Sequence, residues 1–150
     1  MSEKNFWNFL RDNLGIKMYR VENRVGFGMP DVHYISEKGS GWIELKYIAE
    51  FPKKGRVRVG LRQSQHFWHR DYKNHGGKSW ILIRVGRNAI FLVDGENCGK
   101  LIKGPSRSDM WNISDWVHIG NLGKEHWEQL RSIINETESK ENFRSIGESK

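Results

Sequence analysis

Several large classes of protein are excluded by what this sequence lacks. Its one cysteine, Cys98, leaves no partner for an internal disulfide and no basis for a thiolate-rich metal cluster, so a bound metal would sit among oxygen donors. No apolar run approaches the eighteen or so residues of a membrane span, and the N-terminal stretch MSEKNFWNFLRDNL carries charges inside its apolar pattern. Neither a membrane helix nor a secretory signal is therefore expected, and the chain reads as soluble and cytoplasmic. Acidic side chains are also in deficit: 18 Asp and Glu face 25 Lys and Arg, for a net charge of +7 and a pI near 9.6. That surplus suggests an anionic partner such as nucleic acid or a membrane surface.

At 150 residues, 37% hydrophobic, with seven Trp and seven Phe, the chain suits one domain with a single core. The positive charge is clustered: Lys53, Lys54, Arg56, Arg58 and Arg62 fall in one short segment. Arg56 and Arg58 alternate, and would share one side of an extended chain. The segment is either a phosphate-binding surface or a solvated, blunted edge strand.

Periodicity predicts a first helix capped by Ser2 and running to about Leu14, with Phe6, Trp7, Leu10 and Leu14 at helical spacing and Gly15 ending it. Glu3 lies three and four residues before Phe6 and Trp7, on the core-facing stripe. The plainer account is a carboxylate favouring the helix dipole. Three extended segments follow, Lys17 to Glu22, Asp31 to Ser36 and Trp42 to Tyr47, the last two joined by the turn-rich 37–41, and read as a β-meander. In the third, Ile43, Leu45 and Tyr47 point one way and Trp42, Glu44 and Lys46 the other.

From Arg62 to about Asn74 the pattern is helical, with Phe67, Trp68 and Tyr72 as apolar anchors, Gln65 on the face of Trp68 and Tyr72, and Gly76-Gly77 as the stop. Trp80 to Val85 is a nearly continuous apolar run, as expected of a central strand, and Ala89 to Val93 pairs with it. An α/β fold with a mixed sheet and a strand, helix, strand crossover results. Residues 96–123 read as irregular with short strands. Lys124 to Asn135 reads as a closing helix with Asn121 as a possible cap, and the polar stretch from Glu136 as a frayed tail, leaving residues 1–135 as the domain. His66 and His69 are expected at the surface or facing a nucleic acid, since no further ligand has a convincing spacing.

The stretch that carries chemistry is Gly28-Met29-Pro30-Asp31, followed after twelve intervening residues by Glu44-Leu45-Lys46. Phosphodiester hydrolysis calls for a divalent ion to neutralise the scissile phosphate and acidify a water, and Mg²⁺ prefers carboxylate oxygens. Asp31 and Glu44 from adjacent strands can supply them, the Leu45 carbonyl can add another oxygen, and Lys46 shares the strand face of Glu44. One residue more or less would turn the lysine to the far side. The competing account is an exposed Glu44–Lys46 ion pair with Asp31 as a turn cap.

Arg20-Val21-Glu22-Asn23, Gly28-Met29-Pro30-Asp31-Val32, Trp42-Ile43-Glu44-Leu45-Lys46, and Leu61 through Gln65 to Trp68 together resemble the VRR-NUC branch of the PD-(D/E)XK nuclease superfamily. The resemblance spans about Glu3 to Val85. It implies a restriction-endonuclease-like core, Mg²⁺ or Mn²⁺ dependence and structure-selective DNA cleavage. Stand-alone members are similar to Holliday-junction resolvases and act as homodimers, many of them from bacteriophages. By motif, Asp31 and Glu44 would ligate metal, Lys46 would assist the attacking water, Gln65 would help arrange the site, and Glu3 would complete the metal shell, with Glu22 a competing acid. Arg20 and Arg24 would join the basic segment on the DNA backbone. A catalytically silent DNA-binding module, and a nuclease for single-stranded DNA or RNA, are the alternatives.

Overall fold

A computed structural model of the chain describes residues 2–21, 28–135 and 143–147. Glu22 and Arg24 therefore lie outside the described residues. The first helix, α1 (Glu3–Asn13), is capped by Ser2, whose hydroxyl accepts the Asn5 N–H at 3.2 Å. Strands β1 (Lys17–Arg20), β2 (Val32–Ser36) and β3 (Gly39–Ile48) form the expected antiparallel meander, with a tighter turn between β2 and β3 than the glycines suggested. Helix α2 (Gln63–Asn74) then carries the chain over to β4 (Ser79–Val85), parallel to β3, and β5 (Ala89–Asp94) returns antiparallel. The strands lie in sequence order across a seven-stranded mixed sheet flanked by helices. The α/β class and helix-flanked mixed sheet expected of a restriction-endonuclease-like chain are both present.

The sheet is covered on both faces. Phe6, Trp7, Leu10 and Leu14 of α1 and Trp127, Leu130 and Ile134 of α5 (Lys124–Asn135) pack on Val32, Tyr34, Ile43, Leu45 and Leu82. On the opposite face Ile81, Ile83 and Phe91 meet Val57 and Val59 of the basic segment, with Cys98, Leu101 and Met110. Every residue of β4 is buried, as its apolar run requires. No described helix is long and apolar enough to cross a membrane.

Three parts of the second half differ from expectation. Residues 96–123 are ordered rather than irregular: a 3₁₀ turn (Gly95–Asn97), α3 (Cys98–Ile102), α4 (Arg107–Ile113) and β6 (Trp116–Ile119). Helices this short offer too few turns for periodicity to register. Asn121 is not a helix cap; its carbonyl accepts from His118 Nε2 at 2.7 Å. Within the polar C-terminal stretch residues 143–147 are described, and there β7 (Phe143–Ile146) pairs parallel with β6.

The apolar anchors of α2 also need correcting. Phe67 points outward and is 53% exposed, whereas His69, expected at the surface, is fully buried with Nδ1 2.8 Å from Ser79 Oγ. Gln65 and His69, four apart, form the stripe that faces the sheet, so this helix buries its polar side. Burial holds His69 well below the ordinary histidine range, at about 4, with His66 and Lys73 adding to the effect.

Candidate functional site

The β2–β3 ladder builds the site. Val32 pairs with Ile43, so one step earlier Asp31 stands opposite Glu44, and the Val21 N–H donates to the Asp31 carbonyl at 2.7 Å, extending the pairing to that row. Strand alternation then puts Trp42, Glu44 and Lys46 on the face carrying Ile81 and Ile83, beneath α2 and the basic segment. Asp31 is fixed from the other side as well: its Oδ1 accepts the Leu45 N–H at 3.1 Å. Gly28 makes this entry possible. Its φ is +79°, and a Cβ there would strike the Ser64 carbonyl at the start of α2.

Two carboxylates held together out of water repel one another. Glu44 is 6% exposed. Burial, then the Asp31 charge, push its carboxyl up to about 8, against the pull of Lys46 and a hydrogen bond from Gln65. Burial likewise raises Asp31 above the ordinary carboxylate range, opposed by the Leu45 N–H and the Arg20 charge and reinforced by Glu3. Lys46 Nζ stands 3.8 Å from Glu44 Oε2 and donates to the Gly60 carbonyl at 3.3 Å. This is a partly buried ion pair beside the basic segment, not an exposed cross-strand pair, and Asp31 serves the Leu45 amide rather than capping a turn. Gln65 is buried beside Glu44 and locked by the Arg62 N–H, which donates to its Oε1 at 2.8 Å.

The donor set suits a small hard cation. Asp31, Glu44 and the Leu45 carbonyl are oxygen donors, and Mg²⁺ is commonly held by only one or two carboxylates, with waters and substrate phosphate completing its shell. A divalent charge would favour the ionised form of both acids, against the burial that raises them. Glu3, half-buried at the start of α1, is close enough to act on the charges of both. Among the described residues, however, no three His, Cys, Asp or Glu side chains converge on one point, so Glu3 stands apart from the pair.

The cationic residues flank this centre. Arg20, Lys53, Lys54, Arg56, Arg58 and Arg62 are exposed, and buried Val57 and Val59 alternate with the arginines, turning Arg56 and Arg58 outward as the spacing predicted. Lys100 and Lys103, which sequence reasoning missed, line a cleft of about 720 Å³ with Arg56, whose Nη1 donates to the Lys103 carbonyl at 2.7 Å. Their charge was visible in the sequence, but nothing local linked α3 to a segment some forty residues earlier.

On the side of Glu44 away from Lys46 stands an aromatic group. His33 and Trp42 lie 4.7 Å apart, Trp42 meets Trp68 of α2 edge-on at 6.1 Å, and Trp68 stacks on Tyr72 at 4.7 Å.

Fold and site together define an α/β protein with a buried carboxylate pair and an adjacent lysine set in a cationic surface. No family model matches the chain, and no curated protein matches it. Among solved structures it is similar to Hjc, a Holliday junction resolvase from the archaeal hyperthermophile Archaeoglobus fulgidus, with a TM-score of 0.43 and 18% identity over 63% of this chain and 70% of that one.

Proposed function

We propose that this protein is a divalent-metal-dependent nuclease of the PD-(D/E)XK type, in its VRR-NUC branch, which hydrolyses phosphodiester bonds in branched DNA. The observation that carries the reading is the opposition of Asp31 and Glu44 in one buried row, with Lys46 on the same strand face. A protein that only bound DNA would gain nothing from two acids beside a phosphate, since each repels it.

When bound, Mg²⁺ or Mn²⁺ supplies charge neutralisation at the phosphate and a more acidic water. Asp31 and Glu44 would hold the ion with the Leu45 carbonyl, and Glu3, whose charge acts on both acids, would complete its shell. Lys46, anchored on the Gly60 carbonyl, keeps an ammonium where negative charge develops during attack. Gln65 holds the Glu44 carboxylate in place through its amide. Arg20, Arg24, Lys53, Lys54, Arg56, Arg58 and Arg62 grip backbone without reading bases, so the shape of the substrate selects it. A homodimer, acting in the cytoplasm, would set two such centres on the arms of one junction.

The test is a panel of labelled four-way junction, flap, duplex and single-stranded DNA, with Mg²⁺ or EDTA, cut by the wild type and by Glu44→Ala. Metal-dependent cutting of branched substrates that disappears in Glu44→Ala is expected. Cutting in EDTA, or a fully active Glu44→Ala, would overturn the mechanism, and equal cutting of junction and duplex would overturn shape selection.

A further inference from the structure

The face that carries the carboxylates continues past them toward the free edge of the sheet. Tyr19 pairs with His33 across β1 and β2, and His33 with Trp42 across β2 and β3, so these three rings form one transverse row. Met18 packs into the core on the opposite face, which fixes Tyr19 on the site face by strand alternation. The row of Asp31 and Glu44 lies two residues along the same strands, roughly 6.8 Å away. Tyr19 is 49% exposed, and Lys17 Nζ sits 5.3 Å from its ring centroid. At the far end Trp68 props Trp42 from α2, giving the row a rigid backing.

We propose that Tyr19, His33 and Trp42 form a stacking platform for unpaired bases of the polynucleotide strand whose backbone crosses Asp31 and Glu44, an inference that rests on the nuclease reading. Flat aromatic faces beside cations suit unpaired nucleobases, because every base presents a π face and the adjoining phosphates are drawn to the charge. The cleft lined by Arg56, Lys100 and Lys103, with Asp109 among its polar residues, has no aromatic ring in its lining and offers no such faces. The two sides of the centre thus differ: phosphate contacts beyond Lys46, base contacts beyond Trp42.

The experiment compares a short oligothymidylate with an abasic oligomer of equal length and charge. Binding is measured to the full chain carrying Asp31→Asn, which prevents cutting, with and without Tyr19→Ala or Tyr19→Phe. The abasic oligomer is expected to bind roughly ten-fold more weakly than the intact one. Tyr19→Ala should remove most of that difference and Tyr19→Phe should keep it. Equal affinity for the two oligomers overturns the platform, as does a Tyr19→Ala protein that changes from dimer to monomer in sedimentation and weakens equally on both, since the face would then join two copies of the chain. Mg²⁺-dependent cutting by the wild type, assayed in parallel, separates the outcomes. Cutting with equal affinities retires the platform alone, whereas neither binding nor cutting retires the nuclease reading with it.

Discussion

Asp31 and Glu44 stand opposite one another on adjacent antiparallel strands, and the same Asp31 that faces Glu44 also accepts the backbone N–H of Leu45 at 3.1 Å. The aspartate is therefore positioned by the strand that carries its partner acid. Its carboxylate cannot swing away without leaving a buried amide unpaired, and the repulsion between the acids is held in the fold.

Burial of Glu44, with the Asp31 charge beside it, makes stability depend on pH. With its carboxyl raised to about 8, Glu44 keeps a proton in the folded chain that the unfolded chain releases near 4.5. Its favourable contribution is thus complete below about 4.5 and is lost as pH rises through about 8. His69, lowered to about 4, acts in the opposite sense, costing stability as pH falls below its ordinary value of 6.5. The window from 6.5 to 8 therefore isolates the acids. In metal-free urea denaturation, Glu44→Gln should be more stable than the wild type by a few kcal/mol at pH 8.5, with most of the gap gone by pH 5. A gap that is absent, or that widens toward acid, would show that the pair is not strained.

Lys46 lies on the same face of β3 as Glu44 but donates to the Gly60 carbonyl, so its loss should act on the chemical step more than on binding. Lys46→Gln is expected to lower kcat by about 10²–10³ with DNA affinity changed only a few-fold, as removal of a transition-state donor does. A variant that raised KM alone would make Lys46 an ordinary phosphate contact.

Arg56 and Arg58 project from a strand-like segment whose Val57 and Val59 are buried, so either arginine can be removed without disturbing the core. Arg58→Ala should weaken binding to every DNA sequence alike and reduce the slope of log affinity against log salt by about 0.9 per lost phosphate contact. Titrations at several salt concentrations read this directly, and an unchanged slope would remove Arg58 from the DNA surface.

Gly28 links the fold to the site, because its backbone passes against Ser64 where α2 begins, one residue before Gln65. Gly28→Ala combines a disfavoured φ with a backbone clash, and is expected to cost roughly 2–3 kcal/mol in denaturation and to lower activity in the surviving folded fraction. Wild-type stability in this variant would mean that the 28–31 turn does not fix the helix.

Helices α1, α2 and α5, the meander and the central strand were legible in the sequence because long periodic segments left little choice: α1 buries the stripe it shows, and the uninterrupted run of β4 admits only a covered strand. The core of the site was legible for the same reason, since the two-residue alternation places Glu44 and Lys46 together whatever the rest of the chain does. Helix α2 misled because its large rings suggested an apolar contact face, whereas the packed stripe holds Gln65 and His69 and one ring, Phe67, is left outside. A helix lying over a polar site buries amides and imidazoles, which hydrophobic periodicity scores as solvent-facing. In the second half, α4 could have been found from Ser106, whose hydroxyl caps the N–H of Asp109 at 3.0 Å three residues on, but a seven-residue helix offers little beyond its cap. The pairing of β7 with β6 had no local signature, because a short edge strand is defined by its neighbour.

The most direct test of the account is calorimetric titration of the full chain with Mn²⁺, for the wild type, Asp31→Asn and Glu44→Gln, each checked for native circular dichroism. Convergence of the two acids on one cation predicts a single saturable site per chain in the wild type and its loss in both variants. Undiminished binding by either folded variant would contradict it.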